Sequence, residues 1–574
     1  MLKECFGEYK FTGDDILQIS SSGALKVSSL DEVKLYSPTQ SELFGNLLVQ
    51  KRDGRVVALD TFNRELITKI SKKDHFHGLN ANQIVLGMIT APKVWQDIPV
   101  IRVNHDRIKK LLGIPQNQKY ASYNDFFDFS KQPAYKLLNQ VEHANHKRPI
   151  QRNQFDRDLI KVDERLNISY LIYTGDLLRL IPKENDKNQK WYSVKDALTQ
   201  FPPEESARVR TLFLYYFSQV DNAKKSANWQ KANEAVKLIR KYQKKIGGSI
   251  IPSETKLKAE KTFAKIGLFN KLAIVYFLGG LLLLIAIFYK LLKPKSNIKT
   301  AVFIGESIVI FAFLAQTLGM AIRWYIGGHA PWSNAYESML LIAWSMGLAG
   351  VIFRRYSLLA PALTALIASA TLLTTFLSQM DPQITTLVPV LSSYWLNIHV
   401  SVLTSSYGFL GLSMILGAFT LVLFILRDPN KPQIDKSIKE ATRISEMTMI
   451  LGLSLLVIGN FLGGVWANES WGRYWGWDPK ETWAWVSILV YVFVTHVRFV
   501  PWFNKNYDYK FAVFSLVSYA SIIMTYAGVN FYLSGMHSYA AGEPVPVPSW
   551  VYVIVALVFV LIALAYKKRE LKTT

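Results

Sequence analysis

From Lys271 onward the chain is a succession of apolar stretches, each long enough to cross a bilayer, which excludes a purely soluble fold for its C-terminal half. Nine such stretches are read: 271–292, 301–322, 335–353, 357–379, 398–426, 443–465, 482–502, 511–533 and 550–566. A helix crosses about 30 Å of hydrocarbon with about 20 residues, and each stretch is near or above that length. The fifth is long enough to tilt or project.

Residues 1–270 are different. They hold 44 Lys+Arg and 30 Asp+Glu with no long apolar run, whereas 271–574 hold 22 and 13, gathered between the apolar stretches. The net charge of +23 is therefore shared between a soluble domain and short connections, and nucleic acid is not an expected partner. A single cysteine, Cys5, excludes a disulfide scaffold, thiolate zinc and iron–sulfur clusters. The expected organisation is a soluble domain over 1–270, a first membrane helix and linker over 271–299, and an eight-helix membrane domain over 300–574. The fold class is thus a polytopic all-α membrane protein with an N-terminal α+β domain.

Basic residues set the direction of insertion. Eighteen of the 22 in the membrane half fall on alternate connections: Lys290 to Lys299, Arg354/Arg355, Arg427 to Arg443, Arg498 to Lys510 and Lys567 to Lys572. Only Lys271, Arg323, Arg473 and Lys480 fall on the other face. The C-terminus is expected in the cytoplasm and residues 1–270 outside. The start, MLKECFGEYKFTGDD, has neither a basic n-region nor an apolar h-region to export such a domain. The expectation is an upstream helical segment missing from this chain, or another subunit that places it.

Within 1–270, a turn at Asp53-Gly54 is expected to lead into a strand or helix start, and 155–180 and 204–246 read as helical, the latter stopping at Gly247-Gly248. Segment 256–265 reads as a charged helix leading into the first span. His75/His77 and His143/His146 have spacings compatible with a metal, but solvated surface histidines are the favoured reading.

The most informative segment is 466–485, WANESWGRYWGWDPKETWAW, with six of the chain's 15 tryptophans. An interfacial aromatic belt needs one or two rings per helix end. Six indoles around Gly472, Gly476 and a rigid Asp478-Pro479 instead offer broad flat faces and close backbone approach, which suits a large planar apolar ligand. The topology puts this loop outside. His399 begins the fifth span at its external end and His537 follows the eighth, so both approach the loop. His496 follows Trp483 by 13 residues and is expected past mid-bilayer, where ligand and packing roles stand equal. Planar apolar surface with external imidazoles is the chemistry of haem.

WGRYWGWDPKETWAW closely resembles the WWD signature of haem-handling proteins of cytochrome c biogenesis. RWYIGGHAPWSNAYESM (323–339) resembles a motif of the CcsA (ResC) branch, the system II synthetase, and GRVVALDTFNRELITKISKKDHFHGLNANQIVLGM resembles the external domain of fused CcsB–CcsA synthetases. The resemblance implies an enzyme of the holocytochrome c synthase type. It would bind haem b, move it outward or receive it, and join its vinyl groups to the CxxCH thiols of apocytochrome c. Position by position, His399 and His537 match the external histidines and His496 the transmembrane one. Trp471, Trp475, Trp477, Asp478 and Pro479 match the signature's core, flanked by Trp466 and Trp483 in the haem platform.

Asp478 is expected either to pair with Arg473 or Lys480 or to cap the Pro479–Thr482 turn. No nucleophile of the chain's own is expected, since the substrate thiols attack, and His329 is given no ligand role. The resemblance also implies a fourth histidine in an upstream CcsB-type helix, thiol-reductant proteins as partners, and a place in the bacterial inner membrane with the N-terminal domain periplasmic. Three readings compete: a system I relative that delivers haem to a chaperone, a haem exporter without attachment activity, and a b-type membrane electron carrier.

Overall fold

The computed structural model describes residues 36–130, 133–147, 151–377, 380–387, 391–533, 535, 547 and 549–571. The chain divides into two compact units, Met1–Lys265 and Ile266–Thr574.

The first unit is helical around one apolar core. Gly54, at φ +87°, turns a hairpin whose strands pair Leu48 with Ala58 and Gln50 with Val56, and the second strand runs directly into helix Leu59–Ser71. Helix Ala81–Thr90 follows, started by a capping box between Asn80 and Gln83. Asp60, buried between these helices, accepts from Asn82 at 2.7 Å and from Arg64 at 3.1 Å. The expected 204–246 helix is two, Pro203–Ser226 and Gln230–Ile246, broken where Ala227 turns left-handed at φ +56°. Gln243 is buried yet satisfied, since its amide bonds both polar groups of Leu48 and the Leu180 carbonyl. Helix Glu254–Ile266 is tied back through Glu260 to Arg55 and through Glu254 to Lys244 and Arg240. The Lys244 ammonium, with Arg240 beside it, holds the Glu254 carboxyl below its usual range.

The chain is mostly helical, and an α+β character of the first unit is not clearly shown. The described strands form five two-stranded antiparallel pairs, each strand two or three residues long. Between the helices, Gly, Pro and charged residues interrupt every β-branched run before it can extend into a sheet.

Among its described residues the second unit has nine helices long and apolar enough to cross a membrane, which makes this a multi-pass membrane protein. In order they are Leu268–Leu292, Lys299–Gly327, Ala335–Phe353, Leu359–Leu377, Tyr394–Leu426, Pro432–Trp471, Pro479–Phe499, Tyr507–Gly528 and Ser549–Tyr566, here spans 1 to 9. Span 2 turns Phe303, Phe311, Leu314 and Leu318 outward, as lipid allows and water would not. Span 6 is far longer than the stretch 443–465. Pro432 suits its first turn, no further proline follows, and Gly472 stops it at φ +72°, so its 40 residues extend about 60 Å. Span 8 ends in a π-helical turn, Met524–Gly528, before the short helix Val529–Tyr532.

One buried ion pair fastens the loops between these helices. Arg323 and Glu337, 2% and 1% exposed, meet at 2.8 Å. The guanidinium also donates to the carbonyls of Pro382 and Gln383, and Ser333 donates to the carboxylate. Every charged atom pair is thus satisfied where water is scarce. Glu337→Gln should destabilise the membrane unit by about 3–5 kcal/mol, because it strands a buried guanidinium. Thermal unfolding in detergent checks this, and an unchanged midpoint would show that the pair carries little.

Candidate functional site

Span 6 carries glycines at 452, 459 and 463, a spacing of seven and then four that lines one helix face. Span 5 lies directly on that face. A Cβ added at Gly452 would meet Leu410 at 2.8 Å, and one at Gly459 would meet the Leu403 backbone at 3.0 Å. At Gly463 it would meet the His399 ring at 2.6 Å. Small residues at this spacing let membrane helices close on each other. Here the closure seats an imidazole against bare backbone.

His399 Nδ1 lies 2.7 Å from the Gly459 carbonyl. A carbonyl only accepts, so Nδ1 carries a proton and donates it to the Gly459 carbonyl. Fixing one ring nitrogen on a carbonyl is how proteins orient a metal-binding histidine. Ser393, one residue before span 5, donates to Glu469 at 2.8 Å and joins the same ends of spans 5 and 6.

The segment 466–485 is mostly not a loop. Trp466 and Trp471 belong to the last turns of span 6, and Trp483 and Trp485 to the first turns of span 7, leaving 472–478 as a short connector. Trp466 is buried, and its ring is 4.8 Å from Trp471. The connector folds back over span 6, so a Cβ at Gly464 would meet the Tyr474 carbonyl at 3.1 Å. Adjacent glycines thus receive a histidine and a peptide group.

Trp475 and Trp477 meet edge to face at 5.7 Å, and Trp477 is 71% exposed. Trp477 is also left-handed, at φ +55°, which costs a bulky residue about 1–3 kcal/mol. Glu481 holds it there. Its Oε2 accepts from the amides of Gly476 at 2.8 Å and Asp478 at 3.3 Å, the two residues flanking Trp477. Asp478 caps span 7 and completes a capping box with Glu481, and Pro479 occupies the first helical position. Of the alternatives for Asp478, helix capping is what the geometry displays.

A histidine fixed by one nitrogen against bare backbone, on a helix that leads into a connector with two indoles meeting edge to face, suits a flat metal-bearing ligand. A family model described as "Cytochrome C assembly protein" matches residues 332–537, which include His399 and all six tryptophans. The chain is 35% identical to a cytochrome c biogenesis protein CcsA of Prochlorococcus marinus (strain MIT 9312) over 274 residues, 42% of this chain and 86% of that protein. It belongs to the CcsA family of cytochrome c biogenesis proteins. It is also 44% identical to protein NrfI of Wolinella succinogenes over 546 residues, which is 95% of this chain and 59% of NrfI. CcsA of Chlamydomonas reinhardtii is 36% identical over 233 residues, 39% of this chain and 65% of that protein. The chain thus spans less than two thirds of the length of NrfI and of the algal CcsA.

In this CcsA-family chain His399 lies in the second turn of span 5 and His496 in the last turn of the helix that forms most of span 7. His496 is the last residue of the helix Pro479–His496, about 25 Å along it from Pro479, and its ring is exposed. It stands three residues before the end of span 7, Pro479–Phe499. Its Nδ1 donates to the Val492 carbonyl at 2.7 Å. His537 lies outside the described residues. Gly535, two residues before it, packs so closely that a Cβ would stand 2.5 Å from an Asp478 carboxylate oxygen. Both nitrogens of His329 face backbone carbonyls, of Ala330 at 3.1 Å and Thr385 at 2.9 Å. In the first unit His75, His143 and His146 are exposed, with His75 against Asp74 at 2.7 Å.

Sequence reasoning missed two contributors. Glu481 was detectable as the fourth residue of a D-P-K-E capping box, and the glycine stripe as a spacing of seven and four. Glu481→Ala should free the flanking amides and let Trp477 relax from its left-handed conformation. A change in indole fluorescence, with membrane insertion unaffected, is the expected result.

Proposed function

We propose that this chain is the haem-handling, haem-attaching part of a cytochrome c synthetase. Haem is its substrate, received at the end of spans 5 to 7 that bears the tryptophans. The observation that carries the reading is the seating of His399 on Gly463, within the helix whose last turns bear Trp466 and Trp471. His399 Nε2 would bind one face of the iron and His537 the other. Trp471, Trp475 and Trp477 would lie along the macrocycle, with Trp466 and Trp483 behind them and Asp478-Pro479 fixing the connector.

The chain's own work is positioning. Two thiols of an apocytochrome CxxCH motif add across the haem vinyl groups, and holding the edge of the ring toward them lowers the entropic part of the barrier. No side chain of this protein needs to attack. His496 would serve a second, inner haem position, completed by an imidazole from a CcsB-type helical segment or subunit. The proposed setting is a bacterial inner membrane with residues 1–270 periplasmic, motivated by the 18-to-4 basic asymmetry.

A b-type electron carrier is less well supported, since it needs histidines facing each other within the bilayer. His399 and His496 lie at opposite ends of their spans. Export without attachment differs only in outcome. Co-expression with an apocytochrome, and with any CcsB-type partner, in cells lacking their own maturation system separates the two. Haem that stays with the cytochrome through acid–acetone extraction is the expected result. Haem that is always extractable would leave export or delivery as the function.

A further inference from the structure

Gly476 stands between Trp475 and Trp477, the two indoles that meet edge to face, and its φ is not positive, so backbone conformation alone does not demand a glycine there. What demands it is Arg473. A Cβ at 476 would fall inside the Arg473 guanidinium, overlapping Nη1, Cζ and Nη2 together. The half-buried guanidinium thus fills the space that a side chain at 476 would take and lies on the connector's own backbone. That backbone is itself held, since the Gly476 amide donates to Glu481 Oε2 at 2.8 Å. The other three basic residues expected on this face are placed elsewhere. Lys271 lies in the first turn of span 1, Arg323 is buried on Glu337, and Lys480 donates to Asn530 at 2.9 Å. Arg473 is the one set among the tryptophans of the connector.

We propose that Arg473 binds a haem propionate, with Gly476 as the positioning residue that seats its guanidinium. The inference rests on the haem reading and adds to it the edge of the ring that the chain grips. Indole faces suit the macrocycle but not its two carboxylates, which are costly to bring against apolar surface unless paired. A guanidinium offers a planar fork of N–H groups that matches a carboxylate. In haem b the propionates share one edge and the vinyl groups lie away from it. Holding the propionate edge at Arg473 therefore leaves the vinyl-bearing edge for the thiols of apocytochrome c.

The test titrates the purified full-length chain in detergent with haem and with haem dimethyl ester, whose propionates carry no charge. Comparing proteins one ligand at a time cancels the ester's own preference for detergent. Arg473→Gln should weaken haem binding by about tenfold, the scale of losing one charge-assisted hydrogen bond, and leave ester binding unchanged. Gly476→Ala, which displaces the guanidinium without removing it, should show the same selective loss. Arg473→Lys keeps the charge without the fork and should fall between Arg473→Gln and wild type. Equal weakening of both ligands by Arg473→Gln would overturn the propionate role and make Arg473 a brace of the connector. No change for either ligand would overturn it as well. Wild-type protein that takes up neither ligand would overturn the haem reading itself, and the propionate role with it.

Discussion

Replacing Trp471, Trp475 and Trp477 together by Ala is expected to abolish haem retention while leaving the protein inserted and folded. Each aromatic face on a ligand contributes about 0.5–1.5 kcal/mol beyond burial, so one replacement should weaken retention by up to about tenfold and three should remove it. The three rings are not equivalent. Trp471 packs on buried Trp466, and its loss opens a gap at the end of span 6. Trp477 is exposed and held by strain, so its loss relieves the connector and should not lower stability. That contrast separates a haem platform from an interfacial belt. Under the belt reading, losing the most exposed indole would impair insertion and leave haem per molecule unchanged. Haem-to-protein stoichiometry, scored beside thioether yield in correctly inserted protein, decides between them.

Gly463→Val is expected to be as damaging as His399→Gly, although position 463 bears no functional group. A Cβ at Gly463 would come within 2.6 Å of the His399 ring and drive it off the Gly459 carbonyl that orients it. Both variants should lose one iron ligand. In His399→Gly the vacated space should admit free imidazole and restore the spectrum. In Gly463→Val the displaced ring and the new methyls occupy that space, so imidazole should restore little. Combining the substitutions removes the clash, and the double variant should then behave like His399→Gly alone. Losses that add in the double variant would show that Gly463 acts on helix packing and not through His399.

The spans were legible because crossing hydrocarbon demands a run of apolar residues that nothing else in the chain imitates. The importance of 466–485 was legible for a related reason: six indoles in twenty residues exceed what a membrane interface asks for. The extent of span 6 was not legible from hydropathy, because its polar flanks 432–442 and 466–471 stay helical for want of a breaker. Hydropathy did not show that the α-helix Pro479–His496 gives way directly after His496 to a 3-10 turn, Val497–Phe499. The seating of His399 was hidden because it depends on which helix meets the glycine stripe, a tertiary fact. In the first unit, strands of two or three residues carry too little periodicity to read, and charged helices such as Gln230–Ile246 dominate instead.

The central claim is that haem meets this chain where spans 5, 6 and 7 bring His399 and the tryptophans together. A photoactivatable haem analogue, bound to the purified full-length chain and cross-linked, reports that location directly through the labelled peptides. The account predicts labels within 394–403 and 466–485, lost on competition with unmodified haem and absent from the triple Trp variant. Labels confined to the exposed surface around His496, or scattered over the lipid-facing spans and unaffected by competition, would contradict it.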